Sequence, residues 1–182
     1  MSKQKALPIR DLCHIAIFTA IIAVCAQIQI PHPSGIPFTL QTWGIALAGL
    51  VLGPKKGALA SLAYILLGAA GAPVFAFFTG GFGIIAGPTG GFILSFPLMA
   101  LIVGLGEKKG GIVWMMLGLI VGTAVNLVCG MLYFSLITSN NLQAAFAVAV
   151  APFLIVEAVK IATLPLISKS IKAVLTKAKV SI

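Results

Sequence analysis

Acidic residues are almost absent from this chain. Among its 182 residues only three are aspartate or glutamate, and charged residues of both signs make up 8% of the total. A soluble globular domain carries about 25% charged residues, so a surface that faces water on all sides is excluded. Hydrophobic residues make up 60% of the chain, and the mean hydropathy is +1.15. We therefore expect an integral membrane protein with a single membrane domain, residues 1–182.

The long apolar stretches lack the alternation of polar and apolar residues that a membrane β-barrel requires. Runs such as 15–30 and 112–128 are almost continuously apolar, which indicates an all-α bundle. A helix needs roughly 20 apolar residues to cross a hydrocarbon core, so the chain has room for about six spans. The predicted helices lie near 11–30, 39–52, 57–70, 92–105 and 112–136, with the last running from Pro152 into the basic tail.

Motifs of enzymes and metal sites are also missing. The chain has no Gly-Lys dipeptide, which excludes a Walker A loop and ATP hydrolysis by that route. It contains neither G-x-S-x-G nor H-E-x-x-H. Its three cysteines are isolated and its two histidines belong to no ligand set, so we expect no metal and no cofactor. The sequence thus predicts a protein that is not an enzyme.

Basic residues, by contrast, are present and clustered. Apart from Lys160, they fall near the start of the chain, in two internal turns and in the C-terminal tail. The clusters are Lys3, Lys5 and Arg10; Lys55 and Lys56; Lys108 and Lys109; and Lys169, Lys172, Lys177 and Lys179. Because two spans separate the internal clusters, all of them can lie on one side, and the positive-inside rule places both termini in the cytoplasm. The net charge of +9 then reports topology, and no nucleic-acid partner is expected.

The segment 71–91, between the third and fourth predicted helices, is rich in glycine and phenylalanine and has no charge. A solvated flexible loop would contain serine and charged residues instead. Non-helical backbone near membrane depth is tolerated where it is buried in protein or lines a cavity. We predict an ordered external loop that packs over the bundle.

Glu157 and Lys160 are charged residues within the last apolar run. They are three residues apart, so they share one helix face. A charge inside a span costs roughly 2.5–3.5 kcal/mol on insertion scales, so it requires a partner or a polar cavity. Two interpretations are open: a mutually neutralised structural pair, or a ligand site about 8–12 Å below the outer end of the helix.

Other polar residues lie on other predicted helices. A stripe at steps of four on the fifth helix consists of Gly118, Gly122, Asn126 and Gly130. This spacing favours close helix packing, although the Asn126 amide also suits a ligand.

The outer end of the second helix carries Thr39, Gln41 and Thr42, and there Thr39 would also serve as a helix cap. Tyr64 on the third helix is expected to pack, with a hydroxyl that reaches the same cavity.

Four segments of the chain stand out as motifs: IPFTLQT at 36–42, LVLGPKKG at 50–57, GAPVF at 71–75 and GIIAGPTGG at 83–91. Together they resemble the BioY family, the biotin-specific substrate-binding (S) components of energy-coupling-factor (ECF) transporters. The resemblance covers almost the whole chain. It departs from the family pattern in the last helix, where Glu157 stands in place of an expected aspartate three residues before Lys160.

The resemblance implies a six-helix S component that binds biotin near the outer face of the bacterial cytoplasmic membrane. A transmembrane coupling (T) subunit and two ATPases would complete the transporter, and they alone would use ATP. In the family, a small-residue stripe on the first helix contacts the coupling subunit, and here that stripe would be Ala16 and Ala20.

The predicted ligand-binding residues are Glu157, Lys160, Asn126, Gln41, Thr39, Phe38, Tyr64, Phe75, Thr79 and Gly80. We hypothesise that Glu157 accepts hydrogen bonds from the ureido N–H groups of biotin and that Asn126 or Lys160 donates to the ureido oxygen. A bond from Lys160 to the ligand carboxylate is the rival arrangement. The loops 34–39 and 75–81 would cover the site.

Four alternatives remain open at the level of sequence. The first is an S component for a different vitamin. The second is a proton-coupled carrier or small channel with Glu157 as its relay. The third is a membrane-anchoring subunit without a ligand, and the last is an intramembrane enzyme.

Overall fold

The computed structural model describes residues 8–33 and 35–177. Four residues used in the sequence predictions, Lys3, Lys5, Ser34 and Lys179, lie outside the described residues. The elements in chain order are α1 (Ile9–Gln27), β1 (Gln29–Ile30), β2 (Phe38–Thr39), α2 (Gln41–Ala69), a 3₁₀ turn (Ala76–Phe78), α3 (Phe82–Ala86), α4 (Gly90–Lys108), α5 (Ile112–Thr138), α6 (Leu142–Ala149) and α7 (Phe153–Lys177). The strands β1 and β2 pair in antiparallel fashion.

The helix α2 folds back on itself at Gly53, where φ is 80° and ψ is 179°. Glycine tolerates this conformation, and Pro54 is suited to start a new helix. A Cβ at Gly57 would lie 2.8 Å from Cα of Gly49, whereas residues eight apart in a straight helix are separated by about 12 Å. The arms 41–52 and 54–69 therefore pack side by side, near the bounds predicted for two separate helices.

Within the described residues, α1, α2, α4 and α5 are long and apolar enough to cross a membrane. The helices α6 and α7 pass the same test as a pair, although they are bent by 50° at the break between them. The prediction of an all-helical, multi-pass membrane bundle is confirmed at this level. The sequence did not predict α6, whose first turn is capped by the Asn141 side chain, which accepts from the backbone N–H of Ala144 at 2.8 Å.

The helix α4 packs between α2 and α5. A Cβ added at Gly118 of α5 would lie 3.0 Å from Cα of Gly106 in α4, and one added at Gly130 would lie 2.2 Å from the ring of Phe92. These distances leave no room for larger side chains. The stripe of small residues on the fifth helix therefore packs against α4, as its spacing indicates.

Two ion pairs lie at the end of the bundle where α1 begins and α4 and α7 end. Lys56, beside the bend in α2, donates to Asp11 of α1 at 2.8 Å. Lys172 of α7 pairs with Glu107 of α4. We call this end, with its basic turns, the basic end. The two short strands and the segment 71–91 lie at the opposite end.

The segment 71–91 packs over that opposite end. The ring of Phe75 is buried and occupies the space beside Gly68, where a Cβ would approach it to 2.2 Å. Tyr133 of α5 donates from its hydroxyl to the carbonyl of Ile85 at 3.0 Å, which ties α3 to the bundle. The segment also contains a 3₁₀ turn and the short helix α3, two elements that the prediction of an ordered loop did not include.

Candidate ligand-binding site

A cavity of about 190 Å³ lies at the end of the bundle that is opposite to the basic end. Its walls come from the connection before α2, the loop after α2, and helices α2, α3, α4, α5 and α7. Most of the walls are apolar: Ile36, Pro37, Phe75, Ile84, Phe92, Ile93, Phe96, Leu127 and Phe153. The polar lining residues are Thr39, Gln41, Thr42, Thr79, Thr89, Asn126, Glu157 and Lys160.

The charged pair predicted in the last helix lies in this wall. Nζ of Lys160 donates to Oε1 of Glu157 at 2.6 Å, and the two side chains are only 6% and 7% exposed. Thr42 joins the pair across α2 and α7: its hydroxyl accepts from Lys160 at 2.8 Å and lies 2.8 Å from Oε1 of Glu157, to which it donates. The two charges therefore neutralise each other, and both side chains also line the cavity. The structural pair and the ligand site, the two interpretations of the sequence, are thus compatible.

This cluster leaves hydrogen-bonding capacity unused. Both bonds to the Glu157 carboxylate end on Oε1, and within the described residues no hydrogen bond reaches Oε2. The Lys160 ammonium has three hydrogens, of which Thr42 and Glu157 take two. The cavity thus offers a ligand one strong acceptor and one strong donor.

Asn126 contributes an acceptor to the opposite wall. Its amide nitrogen donates to the carbonyl of Phe92 at 2.9 Å and to the hydroxyl of Ser95 at 2.8 Å. Because a carbonyl can only accept, the NH₂ group must point toward Phe92, and both of its hydrogens are in use. The side-chain oxygen remains for a ligand. The donor role that we hypothesised for Asn126 does not agree with this geometry.

Gln41 is held by a small polar network behind the cavity. Its amide nitrogen donates to the Tyr64 hydroxyl at 2.6 Å, and that hydroxyl donates to the carbonyl of Val74 at 3.0 Å. The hydroxyl of Thr39 donates to the Gln41 side-chain oxygen at 3.1 Å. Tyr64 is fully buried and does not line the cavity. From behind the lining it positions Gln41 and the loop after α2.

Aromatic side chains enclose one side of the cavity. The rings of Phe38 and Phe153 lie 4.6 Å apart, and the ring of His32 packs edge-on to Phe38 at 5.0 Å. Phe153 lines the cavity, whereas Phe38 packs on its outer side. These contacts connect the strand β2 and the chain before it to the first turn of α7.

The loop after α2 reaches over the cavity in a strained conformation. Phe77 and Phe78 have φ values of 60° and 52°, a left-handed conformation that bulky residues rarely adopt. Each left-handed residue costs on the order of 1–3 kcal/mol and requires support from its surroundings. Phe77 lines the cavity, so this strain lies directly beside the site.

Two glutamines that the sequence analysis did not single out supply that support. The Gln27 side-chain oxygen accepts from the backbone N–H of Phe78 at 2.9 Å, and its nitrogen donates to the carbonyls of Val74 and Phe75 at 3.3 and 3.0 Å. Gln29 accepts from the N–H of Phe77 at 3.1 Å. The sequence signal was weak, because glutamine at the end of an apolar helix is an ordinary boundary residue.

The predicted site residues separate into two groups in the structure. The residues that line the cavity are Glu157, Lys160, Asn126, Gln41, Thr39, Phe75 and Thr79. Phe38 and Tyr64 lie behind the lining. Gly80 is a packing residue, since a Cβ there would lie 2.3 Å from the carbonyl oxygen of Ala72. Thr42, whose polarity was noted but which was not predicted to bind, belongs with the lining residues.

Ala16 and Ala20 are far from the cavity and exposed on the surface of α1. Ala16 borders a shallow apolar groove together with Leu12 of α1 and Leu66 of α2. Among the described residues, no group of three or more histidine, cysteine or acidic side chains is arranged to hold a metal ion.

Comparisons with known proteins connect this geometry to a family. Residues 1–177 match the sequence model of the BioY family. A probable biotin transporter BioY from Pyrococcus horikoshii is 40% identical over 163 residues, covering 90% of this chain and 96% of that protein. The biotin transporter BioY of Thermotoga maritima is 38% identical over 164 residues, with the same coverage of 90% and 96%.

A solved structure has the same fold. The crystal structure of the S-component for biotin from an ECF-type ABC transporter superposes with a TM-score of 0.82 and covers 95% of both chains. The sequences are 23% identical, so this likeness establishes the arrangement of the helices and not the ligand.

Proposed function

Since this chain belongs to the BioY family, we propose that it takes up biotin as the S component of an ECF transporter. The observation that carries the proposal is the buried Glu157–Lys160 pair in the wall of a mostly apolar cavity. Small-molecule sites commonly combine apolar walls with a few fixed polar groups. Biotin has the matching chemistry, with an apolar fused ring, a ureido group and a carboxylate tail.

In the proposed complex the ureido group lies against the charged cluster. Oε2 of Glu157 accepts from one ureido N–H, and Nζ of Lys160 donates to the ureido oxygen. The side-chain oxygen of Asn126 suits a further N–H donor, since the hydrogens of its amide are engaged by Phe92 and Ser95. The rival arrangement, with Lys160 paired to the ligand carboxylate, uses the same ammonium hydrogen.

We further propose that the chain crosses the membrane six times, with both termini in the cytoplasm. The fold-back at Gly53 supports two crossings by α2, and α6 and α7 together form the last one. The turns with Lys55 and Lys108 lie at the same end of the bundle, which the positive-inside rule assigns to the cytoplasm. The cavity then opens toward the outer face of the cell membrane.

Transport requires a coupling T subunit and two ATPase subunits in this proposal. The chain has no Walker A loop of its own. The exposed small residues Ala16 and Ala20 on α1 would let a helix of the coupling subunit approach closely.

The direct test is calorimetric titration of the detergent-purified protein with biotin, with riboflavin and thiamine as comparison ligands. We expect tight one-to-one binding of biotin and no heat from the other two. Tight binding of riboflavin or thiamine instead would identify an S component for a different vitamin. If folded, ligand-free protein gives no heat with biotin, the proposal is wrong.

Gln27 is expected to control how long biotin stays bound. In the variant Gln27→Ala the N–H of Phe78 and the carbonyls of Val74 and Phe75 lose their hydrogen bonds to α1. The bond from Phe77 to Gln29 remains, but the loop over the cavity should open more often. We expect dissociation to accelerate by about tenfold, which corresponds to about 1.4 kcal/mol. The rate is measured by loading the protein with radiolabelled biotin and chasing with an excess of unlabelled biotin.

Gln143→Ala is the matched control, because Gln143 is an exposed glutamine in the first turn of α6. This control should release biotin at the rate of the unchanged protein. Equal release rates for both variants would show that the hydrogen bonds of Gln27 do not hold the loop.

A further inference from the structure

A shallow groove of about 500 Å³ lies between α4 and α5 at the basic end. Its apolar part is formed by Leu105, Leu117 and Val121, and its end is formed by Lys108, Lys109 and Trp114. It is far from the biotin site, because α4 runs the length of the bundle between the two. None of the residues around it contacts the cavity proposed to bind biotin.

The two helices that form the groove touch through glycine. A Cβ at Gly106 would lie 2.8 Å from Cα of Gly118. Because the backbones meet here without side chains between them, the larger residues stand apart on either side and leave an open channel. The lining side chains are partly exposed, with Leu105, Leu117 and Val121 between 44% and 48% accessible. In a membrane-spanning chain these surfaces face the hydrocarbon of the bilayer.

The end of the groove has an uncompensated positive charge. The neighbouring acid, Glu107, is already paired with Lys172. Among the described residues, neither Lys108 nor Lys109 has a carboxylate within ion-pair distance. Nζ of Lys109 lies 4.0 Å from the ring centre of Trp114, which holds the ammonium at the mouth of the groove.

We propose that this groove binds an anionic phospholipid of the bilayer. The phosphate lies between Lys108 and Lys109, and one acyl chain follows the apolar side chains of α4 and α5. Basic pockets between transmembrane helices bind acidic lipid headgroups in this manner, and tryptophan prefers the level of the headgroups. An apolar channel that ends in cations at the membrane boundary has the complementary shape and charge of an amphiphilic anion.

Trp114 provides a local probe for this site. The chain has two tryptophans, so the variant Trp43→Phe leaves Trp114 as the sole tryptophan, whose emission is excited selectively at wavelengths that tyrosine does not absorb. This variant is reconstituted in phosphatidylcholine vesicles with a small fraction of lipid brominated in its acyl chains. The brominated lipid is either phosphatidylglycerol or phosphatidylcholine. We expect brominated phosphatidylglycerol to quench Trp114 at a much lower mole fraction than brominated phosphatidylcholine.

The double substitution Lys108→Gln and Lys109→Gln should abolish this difference. Each lysine near an anionic lipid surface contributes about a fivefold preference for anionic lipid. The mole fraction of brominated phosphatidylglycerol that is needed to quench Trp114 should therefore rise by at least about fivefold. The matched control removes the same charge from exposed lysines at the same end, Lys55→Gln with Lys169→Gln. It should quench as the Trp43→Phe parent does.

Three outcomes would overturn the proposal. Equal quenching by both brominated lipids would show a groove that takes acyl chains without regard to charge. An equal loss in the control would show general attraction to the basic end of the protein. Quenching that is unchanged by the double substitution would show that Lys108 and Lys109 do not hold the headgroup.

Discussion

Replacement of Lys160 with methionine is expected to weaken biotin binding by on the order of 100-fold. Methionine keeps the apolar length of the side chain but removes the ammonium that contacts Glu157 and Thr42. A hydrogen bond to a charged group contributes roughly 1.5–3 kcal/mol, and each 1.4 kcal/mol is about a factor of ten in affinity. Calorimetric titration of the purified variant with biotin measures the change.

The matched control is Lys169→Met, which alters an exposed lysine of the same helix. Its affinity for biotin should equal that of the unchanged protein, and both variants should elute as folded, monodisperse species. An unaltered dissociation constant in Lys160→Met would remove Lys160 from the binding site.

The same variant separates the two arrangements of the ligand. Biotinamide keeps the ureido group but has no charged carboxylate. If Lys160 contacts the ureido oxygen, Lys160→Met should weaken biotin and biotinamide by the same factor. If Lys160 contacts the carboxylate, the unchanged protein should bind biotinamide weakly and the variant should no longer discriminate between the two ligands. A double cycle of protein and ligand changes measures this coupling directly.

The charged pair and the helical architecture were predictable because charges and unpaired backbone groups are both costly in lipid. A charge in a span must be compensated, so Glu157 and Lys160 are conspicuous in a chain with only three acids. The Gly53-Pro54 step likewise predicts the end of one helix and the start of another, and the structure has its bend there. Family membership, which the motifs indicated, is confirmed by the match over residues 1–177.

It was less predictable which side chains line the cavity and which pack behind them, because residue type does not determine distance from a cavity. Phe38 and Tyr64 have the chemistry of ligand contacts but pack behind the lining. Thr42 seemed equivalent to its neighbours Thr39 and Gln41 in sequence. In the first turn of α2, however, its hydroxyl contacts both Glu157 and Lys160. Gln27 acts through backbone groups more than forty residues away, and no local pattern encodes such a contact.

The orientation of the Asn126 amide was likewise not predictable from the sequence. The sequence indicates an amide facing the cavity but not which end of it faces inward. That choice depends on Phe92 and Ser95 of α4. The Ser95 hydroxyl donates its hydrogen to the Phe92 carbonyl at 2.9 Å, so both oxygens can only accept from the Asn126 side chain. The fold therefore determines the hydrogen-bonding role that remains available to a ligand.

The second large effect is expected at Gly104, where α4 contacts the backbone of the α2 bend. A Cβ at this position would lie 2.5 Å from both Cα and N of Pro54. Since the obstacle is backbone and not a flexible side chain, Gly104→Ala must separate α4 from α2 or distort the bend at Gly53. We expect the free energy of unfolding to fall by about 3 kcal/mol, at the upper end of the range for overpacked cores. The unfolding midpoint of the detergent-purified, ligand-free protein should fall by about 6–12 °C.

Gly83→Ala is the control, because a Cβ at Gly83, in the short helix α3, has no atom within 4 Å. Its unfolding midpoint should stay within about 2 °C of that of the unchanged protein. If both variants melt alike, the contact between α4 and the bend does not support the fold. If only Gly104→Ala is destabilised, the bend is held by direct backbone contact with α4. The two arms of α2 would then depend on α4 for their relative position, and so would the Thr42 hydroxyl that the first arm presents to Glu157 and Lys160.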